Sequence, residues 1–305
     1  MKRILIILVL LAFTFGISNQ LSAQKWKKNR QFFMVHLGGT NFLGDLGGSK
    51  DIGSYGLKDF DVQSTRGVIG VGYSYRFLER FNVKTNLYVG LIGGDDSWTT
   101  QVNRNIRKLH FRSILVELSG QAEYYLTLQN SGKNYGRRTF KRMPITSYLF
   151  AGVGGVYFDP KGKYTDGNWY SLQPLGTEGQ GITGIETRKP YSRIALSVPF
   201  GIGFKYDFNR KYSLGFEYGM RWTNTDYMDD VSTTYFDRNV IRAAKGDIAA
   251  YFSNPADVTD GVTAYATSAG QQRGNPTNKD SYMFANFTLY INLYKTTANV
   301  CSFQY

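Results

Sequence analysis

Along residues 281–294, Met283, Ala285, Phe287, Leu289, Ile291 and Leu293 occupy every second position, with Phe284, Asn286, Thr288, Tyr290 and Asn292 between them. Alternation this long predicts a β-strand, because successive side chains of a strand leave on opposite faces. The composition of the second face is what discriminates. A soluble core strand buries its apolar face and shows charge outside, whereas a membrane-barrel strand turns the apolar face to lipid and small polar groups to the lumen. The aromatics near both ends, Tyr282, Phe284, Tyr290 and Tyr294, suit the two interfacial girdles.

The same alternation recurs at 32–37, 67–77, 81–92, 111–126, 146–157, 192–206 and 212–223, separated by turn signals. In 81–92, Val83, Thr85, Leu87, Val89 and Leu91 oppose Asn82, Lys84, Asn86, Tyr88 and Gly90. In 192–206, seven residues from Ile194 to Tyr206 form an apolar and aromatic face against Ala195, Ser197, Pro199, Gly201, Gly203 and Lys205. With 281–294 the strands number eight, even as bacterial single-chain barrels require. The links 78–80 and 207–211 are short, while 38–66, 93–110, 158–191 and 224–280 are long. The pattern predicts an all-β fold: an eight-stranded antiparallel transmembrane β-barrel with long extracellular loops and short periplasmic turns. One link breaks it. Residues 127–145 fall on the periplasmic side yet form a long turn carrying Lys133, Arg137, Arg138, Lys141 and Arg142 and no acidic residue.

An eight-stranded barrel is just wide enough for side chains to fill it. On this register Lys84, Glu117, Glu123, Lys205, Glu217 and Arg221 all point inward. Buried charges must pair, so a salt-bridged, water-poor plug is expected instead of a conduction path.

The chain opens Met1-Lys2-Arg3, an apolar run from Ile4 to Phe15 and a small-residue exit, the pattern of a signal peptide over residues 1–23. Residues 24–305 are then the barrel, with 295–305 left as a periplasmic tail carrying Cys301, the only cysteine. Export and strand pattern together predict the Gram-negative outer membrane. The net charge of +13 suits anionic surroundings such as lipid headgroups, lipopolysaccharide or an acidic partner. No recognition motif for nucleic acid accompanies it.

His36 and His110 are the only histidines, and Asp95, Asp96 and His110 fall together in one outer loop. An Asp–His pair could serve acid–base chemistry, but no serine motif or paired histidine supports it, and a non-catalytic protein without cofactor is expected. Asp226, Asp229, Asp230 and Asp237 offer hard oxygen ligands for calcium. Their spacing fits turn and cap roles better. The basic turn at 127–145 is longer than lipid contact requires and is expected to dock a periplasmic protein.

Three stretches carry a family likeness. Asn41-Phe-Leu-Gly-Asp-Leu-Gly-Gly48, His110-Phe-Arg-Ser-Ile-Leu-Val-Glu-Leu-Ser119 and Asp226-Tyr-Met-Asp-Asp-Val-Ser-Thr-Thr-Tyr235 resemble the PorG-type outer-membrane barrels of Bacteroidota, components of the type IX secretion system. The resemblance implies a non-catalytic barrel that contacts a periplasmic lipoprotein ring (PorK/PorN-like) and assists protein export. It supplies no catalytic residues. The other reading is a structural or adhesive barrel that binds ligands through its extracellular loops.

Overall fold

In the computed structural model, residues 30–46, 63–98, 101–127, 145–209, 211–256 and 258–294 are described. Eight long strands form the wall: β1 (Gln31–Leu43), β2 (Arg66–Arg76), β3 (Phe81–Asp95), β4 (His110–Tyr125), β5 (Ile145–Lys163), β7 (Ile194–Asp207), β8 (Tyr212–Thr223) and β9 (Ser281–Asn292). A short strand, β6 (Trp169–Ser171), adds to the outer end of β5. Every neighbouring pair is antiparallel. The order β4-β3-β2-β1-β9-β8-β7-β5 closes through the β4–β5 pairing, leaving no open edge among the eight. Closure matters in lipid, where an unpaired backbone group costs several kcal/mol.

The alternation places side chains as expected. Leu37, Ile69, Leu118, Val153, Ile194 and Phe287 lie on the outside, at 58–68% exposure. Alternate positions such as Lys84, Glu117, Asn86, Ser197 and Thr288 are buried inside. An exterior this apolar over a polar interior is the reverse of a soluble barrel. The protein is an outer-membrane-type β-barrel, and its lipid-facing belt is built from the strands themselves.

Three corrections concern the wall. β1 does not end at Leu37; it continues to Leu43, because Gly38 to Leu43 pair with Ser281 to Asn286 of β9. β5 likewise runs to Lys163, well past Tyr157. Tyr282, Phe284 and Tyr290 are not girdle residues: they point inward and are fully buried, and of the four only Tyr294 is exposed. On a narrow barrel the lumen takes bulky rings wherever a small residue faces them. Gly203 sits under Tyr148, where a Cβ would come within 2.2 Å of the ring. The periplasmic girdle comes from the turns and the strand ends beside them, with Phe77, Phe81 and Tyr124 in tilted ring contact and Tyr206 packed on Phe208.

The periplasmic links differ in kind. At 207–212 the Asn209 side chain accepts the backbone N–H groups of Lys211 and Tyr212, a local Asx turn. The basic turn with Lys133, Arg137, Arg138, Lys141 and Arg142, the proposed signal peptide 1–23 and the tail 295–305 lie outside the described residues.

The outer links are folded. They contain α1 (Val102–Asn105), α2 (Arg238–Lys245), α3 (Asp247–Ser253) and α4 (Gly261–Ala266). Asp237 caps α2 through the N–H groups of Asn239 and Val240, and Asp260 caps α4 through those of Val262 and Thr263.

Candidate functional site

The lumen and its outer mouth hold the protein's polar chemistry, arranged in layers. Nearest the periplasm, Lys205 Nζ lies 3.6 Å over the Phe32 ring and 4.5 Å from that of Tyr290, with the Asp207 carboxylate 3.9 Å away. Above it, Lys84 Nζ lies 2.6 Å from Glu217 Oε1 and 2.8 Å from Glu123 Oε1. The hydroxyl of Tyr148 donates to Glu217 Oε1 at 2.6 Å, and Asn82 Nδ2 donates to Glu123 Oε2 at 2.5 Å. In the next layer, Arg221 faces Glu117 at 3.5 Å, and Tyr282 donates its hydroxyl to Glu117 Oε2 at 2.6 Å. Arg221 also lies 4.0 Å over the Phe284 ring and donates to the carbonyl of Gly219. Taken together, the three cations and three glutamates are neutral. Their partition is uneven, since Lys84 holds two glutamates and Lys205 none.

These pairs span the barrel. β3 and β8 are four strands apart in either direction around the ring, so Lys84–Glu217 joins opposite walls. The same holds for Tyr282 on β9 and Glu117 on β4. Buried charge is tolerable here only because each carboxylate also accepts hydrogen bonds.

Towards the outside the polar layers give way to an apolar core that the sequence reading missed. Phe42, Tyr88, Phe111, Leu115, Val156, Phe158 and Phe284 from the wall pack with Leu46, Met228, Val231 and Phe252 from the outer links. The links interlock above this core. Arg107 donates to the Asp96 carboxylate at 2.9 Å and to the backbone carbonyls of Asp45 and Arg273, tying three links together. Arg273, fully buried, donates to Glu178 Oε1 at 3.0 Å and to the carbonyl of Asp230 at 2.6 Å. Leu46 N–H donates to Asp229 at 2.9 Å, and Asn275 N–H to Asp45 at 2.7 Å. The three stretches quoted for the family likeness therefore meet at one place, the outer mouth.

The candidate calcium ligands are consumed in that structure. Asp226 accepts from the Ser232 hydroxyl, Asp229 from the N–H groups of Leu46 and Val231, and Asp230 from the hydroxyls of Thr177 and Tyr191. Asp237 caps α2. Among the described residues no group of three or more acidic, histidine or cysteine side chains is arranged to hold a metal ion. Crowding raises the acids. Burial first, then the Asp45 carboxylate, holds Asp229 well above the usual carboxylate range. Burial followed by Asp229 does the same to Asp280. Burial lifts Asp226 and Asp230 to about 6, with the Arg273 charge opposing it at Asp230.

The Asp–His group at the rim is brought together only in part. Asp95 and His110 are partners across β3 and β4. Yet Asp95 accepts the N–H of Ser97, Asp96 is held by Arg107 and Arg104, and His110 Nε2 accepts the N–H of Lys163. His36 is in the lumen, sharing a 2.9 Å hydrogen bond with Thr288 Oγ1.

None of the curated proteins matches this chain. Among solved structures it is similar in fold to Neisserial surface protein A, at 8% identity over 86% of this chain and 96% of that one, with a TM-score of 0.39. It is also similar to Ail, the attachment invasion locus protein of Yersinia pestis, solved with the heparin analogue sucrose octasulfate, at 8% identity, 86% and 97% coverage and a TM-score of 0.37. A third is the outer membrane protein OprG from Pseudomonas aeruginosa, at 10% identity, 86% and 96% coverage and a TM-score of 0.33. The model of one sequence family matches residues 2–248, and the chain belongs to that family, described as "Domain of unknown function (DUF6089)".

Proposed function

We propose that this barrel is a non-catalytic component of the type IX protein secretion machinery, presenting its basic periplasmic side to a lipoprotein ring of the PorK/PorN kind. The observation that carries the reading is the side-chain-filled lumen. Cross-barrel ion pairs, an apolar core and interlocked outer links occupy the lumen and its outer mouth among the described residues, which supports a protein acting through its surfaces. The rim acids and His110 are engaged in structural bonds, which suits a protein without catalytic chemistry. The outer mouth is built from the stretches that resemble PorG-type barrels. On the periplasmic rim, Arg76 lies 4.4 Å over the Tyr125 ring and Arg80 donates to the carbonyls of Tyr125 and Leu126, adding positive charge beside the basic turn.

Two experiments test it. Deleting the gene should block export of cargo bearing the type IX signal, and normal secretion would refute the reading. Reversing charge at Arg137, Arg138, Lys141 and Arg142 should abolish co-purification of the ring while the barrel still inserts. A second reading, ligand binding through the extracellular links, draws on Val262 and Tyr265 of α4, which are 77% and 73% exposed on the outer side. Under that reading secretion is normal in the deletion strain and binding to an external surface is lost.

A further inference from the structure

Where β4 and β5 leave the lipid-facing belt on the outer side, four cations gather, two of them paired with one acid. Arg112 on β4 is opposite Lys161 on β5, and Lys163 follows two residues on. Arg193, just before β7, joins them through the N–H of Phe158, which donates to its carbonyl. The carboxylate bonded to them is Asp159, 3.5 Å from Lys161 Nζ and 3.2 Å from an Arg193 guanidinium nitrogen, and fixed by the Ser171 hydroxyl at 3.0 Å. The Arg112 guanidinium is stacked 3.7 Å over Trp169. The four cations stay open to the outside; the side chains of Lys161 and Arg193 are about two-fifths exposed. Directly below begins the apolar belt, with Ile114 on β4 and Ile194 and Leu196 on β7 turned to lipid.

Four like charges do not gather at a surface without a reason, because each repels the next. Asp159 pins two of the side chains but offsets only one charge, leaving positive charge in excess over its paired acid at the belt's outer border. Arginine forks and lysine ammonium groups suit phosphate oxygens, and an indole beneath a guanidinium holds its plane in place. An amphiphile satisfies both halves of the surface at once, its acyl chains on the belt and its anionic head on the cations. A soluble anion uses only the upper half.

We propose that Arg112, Lys161, Lys163 and Arg193 bind the phosphate-bearing headgroup of an outer-leaflet glycolipid. The site is independent of any periplasmic partner. The test uses the full chain purified in detergent, titrated with phosphorylated lipopolysaccharide glycolipid, its dephosphorylated form and inorganic phosphate. The R112Q/K161Q/K163Q variant is expected to bind the phosphorylated glycolipid about a hundredfold more weakly and the dephosphorylated form as the native protein does. Inorganic phosphate at millimolar concentration is expected not to compete. Heat-modifiable migration reports folding of the variant. Should it fail to fold, K163Q alone is expected to weaken binding about fivefold, and Asp159→Asn, which keeps every cation, to bind as tightly as native or tighter. Unchanged affinity in the folded triple variant or in K163Q, equal native affinity for the dephosphorylated form, weaker binding by D159N, or full competition by inorganic phosphate would each overturn the assignment.

Discussion

Lys84 Nζ and Glu217 Oε1 lie 2.6 Å apart although their strands stand on opposite sides of the barrel. A bond of this kind fixes the diameter of the lumen as well as its charge. Glu123 flanks the same ammonium group at 2.8 Å, so two buried carboxylates share the one Lys84 cation. Removing the lysine strands both acids in a dry interior.

Replacement of Lys84 by Met should therefore destabilise the barrel by roughly 3–5 kcal/mol, the usual cost of leaving buried charge uncompensated. Urea unfolding in lipid vesicles, followed by tryptophan fluorescence, measures it. Adding Glu123→Gln and Glu217→Gln to the same chain should recover most of the loss, because the desolvated charge is gone. A triple variant as unstable as the single one would show that packing, not charge, sets the effect.

Conduction gives a second check on the side-chain-filled lumen. In planar bilayers the native protein should give no resolvable current steps. Paired charges, the Tyr148 and Tyr282 hydroxyls and the apolar core stand in series along the described lumen. Even Lys84→Met should remain closed, since the outer core and its cap stand above that layer. Steady open steps from the native protein would contradict the packing described.

The wall was legible in the sequence because each strand carries its own alternation. Leu214, Phe216 and Trp222 announce an outward face without reference to any partner strand, and the structure puts them there. Gly38 and Gly39 looked like the start of a loop. Their strand character comes only from pairing with Asn286 and Ala285, more than 240 residues away. The inward aromatics were hidden for a related reason: a ring on a polar face reads alike whether it meets an interface or a glycine on the paired strand. That Lys84 takes two glutamates while Lys205 takes none depends on which walls face each other, and no local pattern encodes it. The cap was least visible, since its bonds join links far apart in sequence, such as Leu46 to Asp229 and Glu178 to Arg273.

The cap should weaken as pH rises. Asp226 and Asp230 are lifted to about 6 in the folded protein, against about 3.9 in an unfolded chain. Between those values the folded cap holds protons that the unfolded chain has released. This contribution is fully present below the unfolded value and is lost as pH climbs through about 6. Asp229 and Asp280, also raised, act in the same direction. Cap unfolding, read from Trp98 and Trp169, should have a higher midpoint at pH 5 than at pH 8. Asp226→Asn, which can still accept from Ser232, should flatten the dependence. A midpoint that rises with pH would contradict the assignment.

The tightest packing in the cap gives the sharpest test of how it is held. Gly94, near the outer end of β3, faces the carbonyl of Leu46 so closely that a Cβ would fall 1.4 Å from its oxygen. That contact is with backbone, which cannot swing aside as a side chain does, and the Phe111 ring stands 3.1 Å away. Gly94→Ala should therefore expel the 44–46 segment from the mouth and break the hydrogen bond from Leu46 to Asp229, leaving that buried side chain only its bond from Val231. Links that interlock through this segment should then open to protease at 224–280, while the strands keep their pairing and heat-modifiable migration is retained. Gly67→Ala serves as the control, because a Cβ there meets open space. Equal protease resistance in the two variants would mean that the Gly-Asp-Leu segment rests on the mouth without closing it. Cleavage confined to Gly94→Ala would make that segment the wedge that locks the cap onto the barrel.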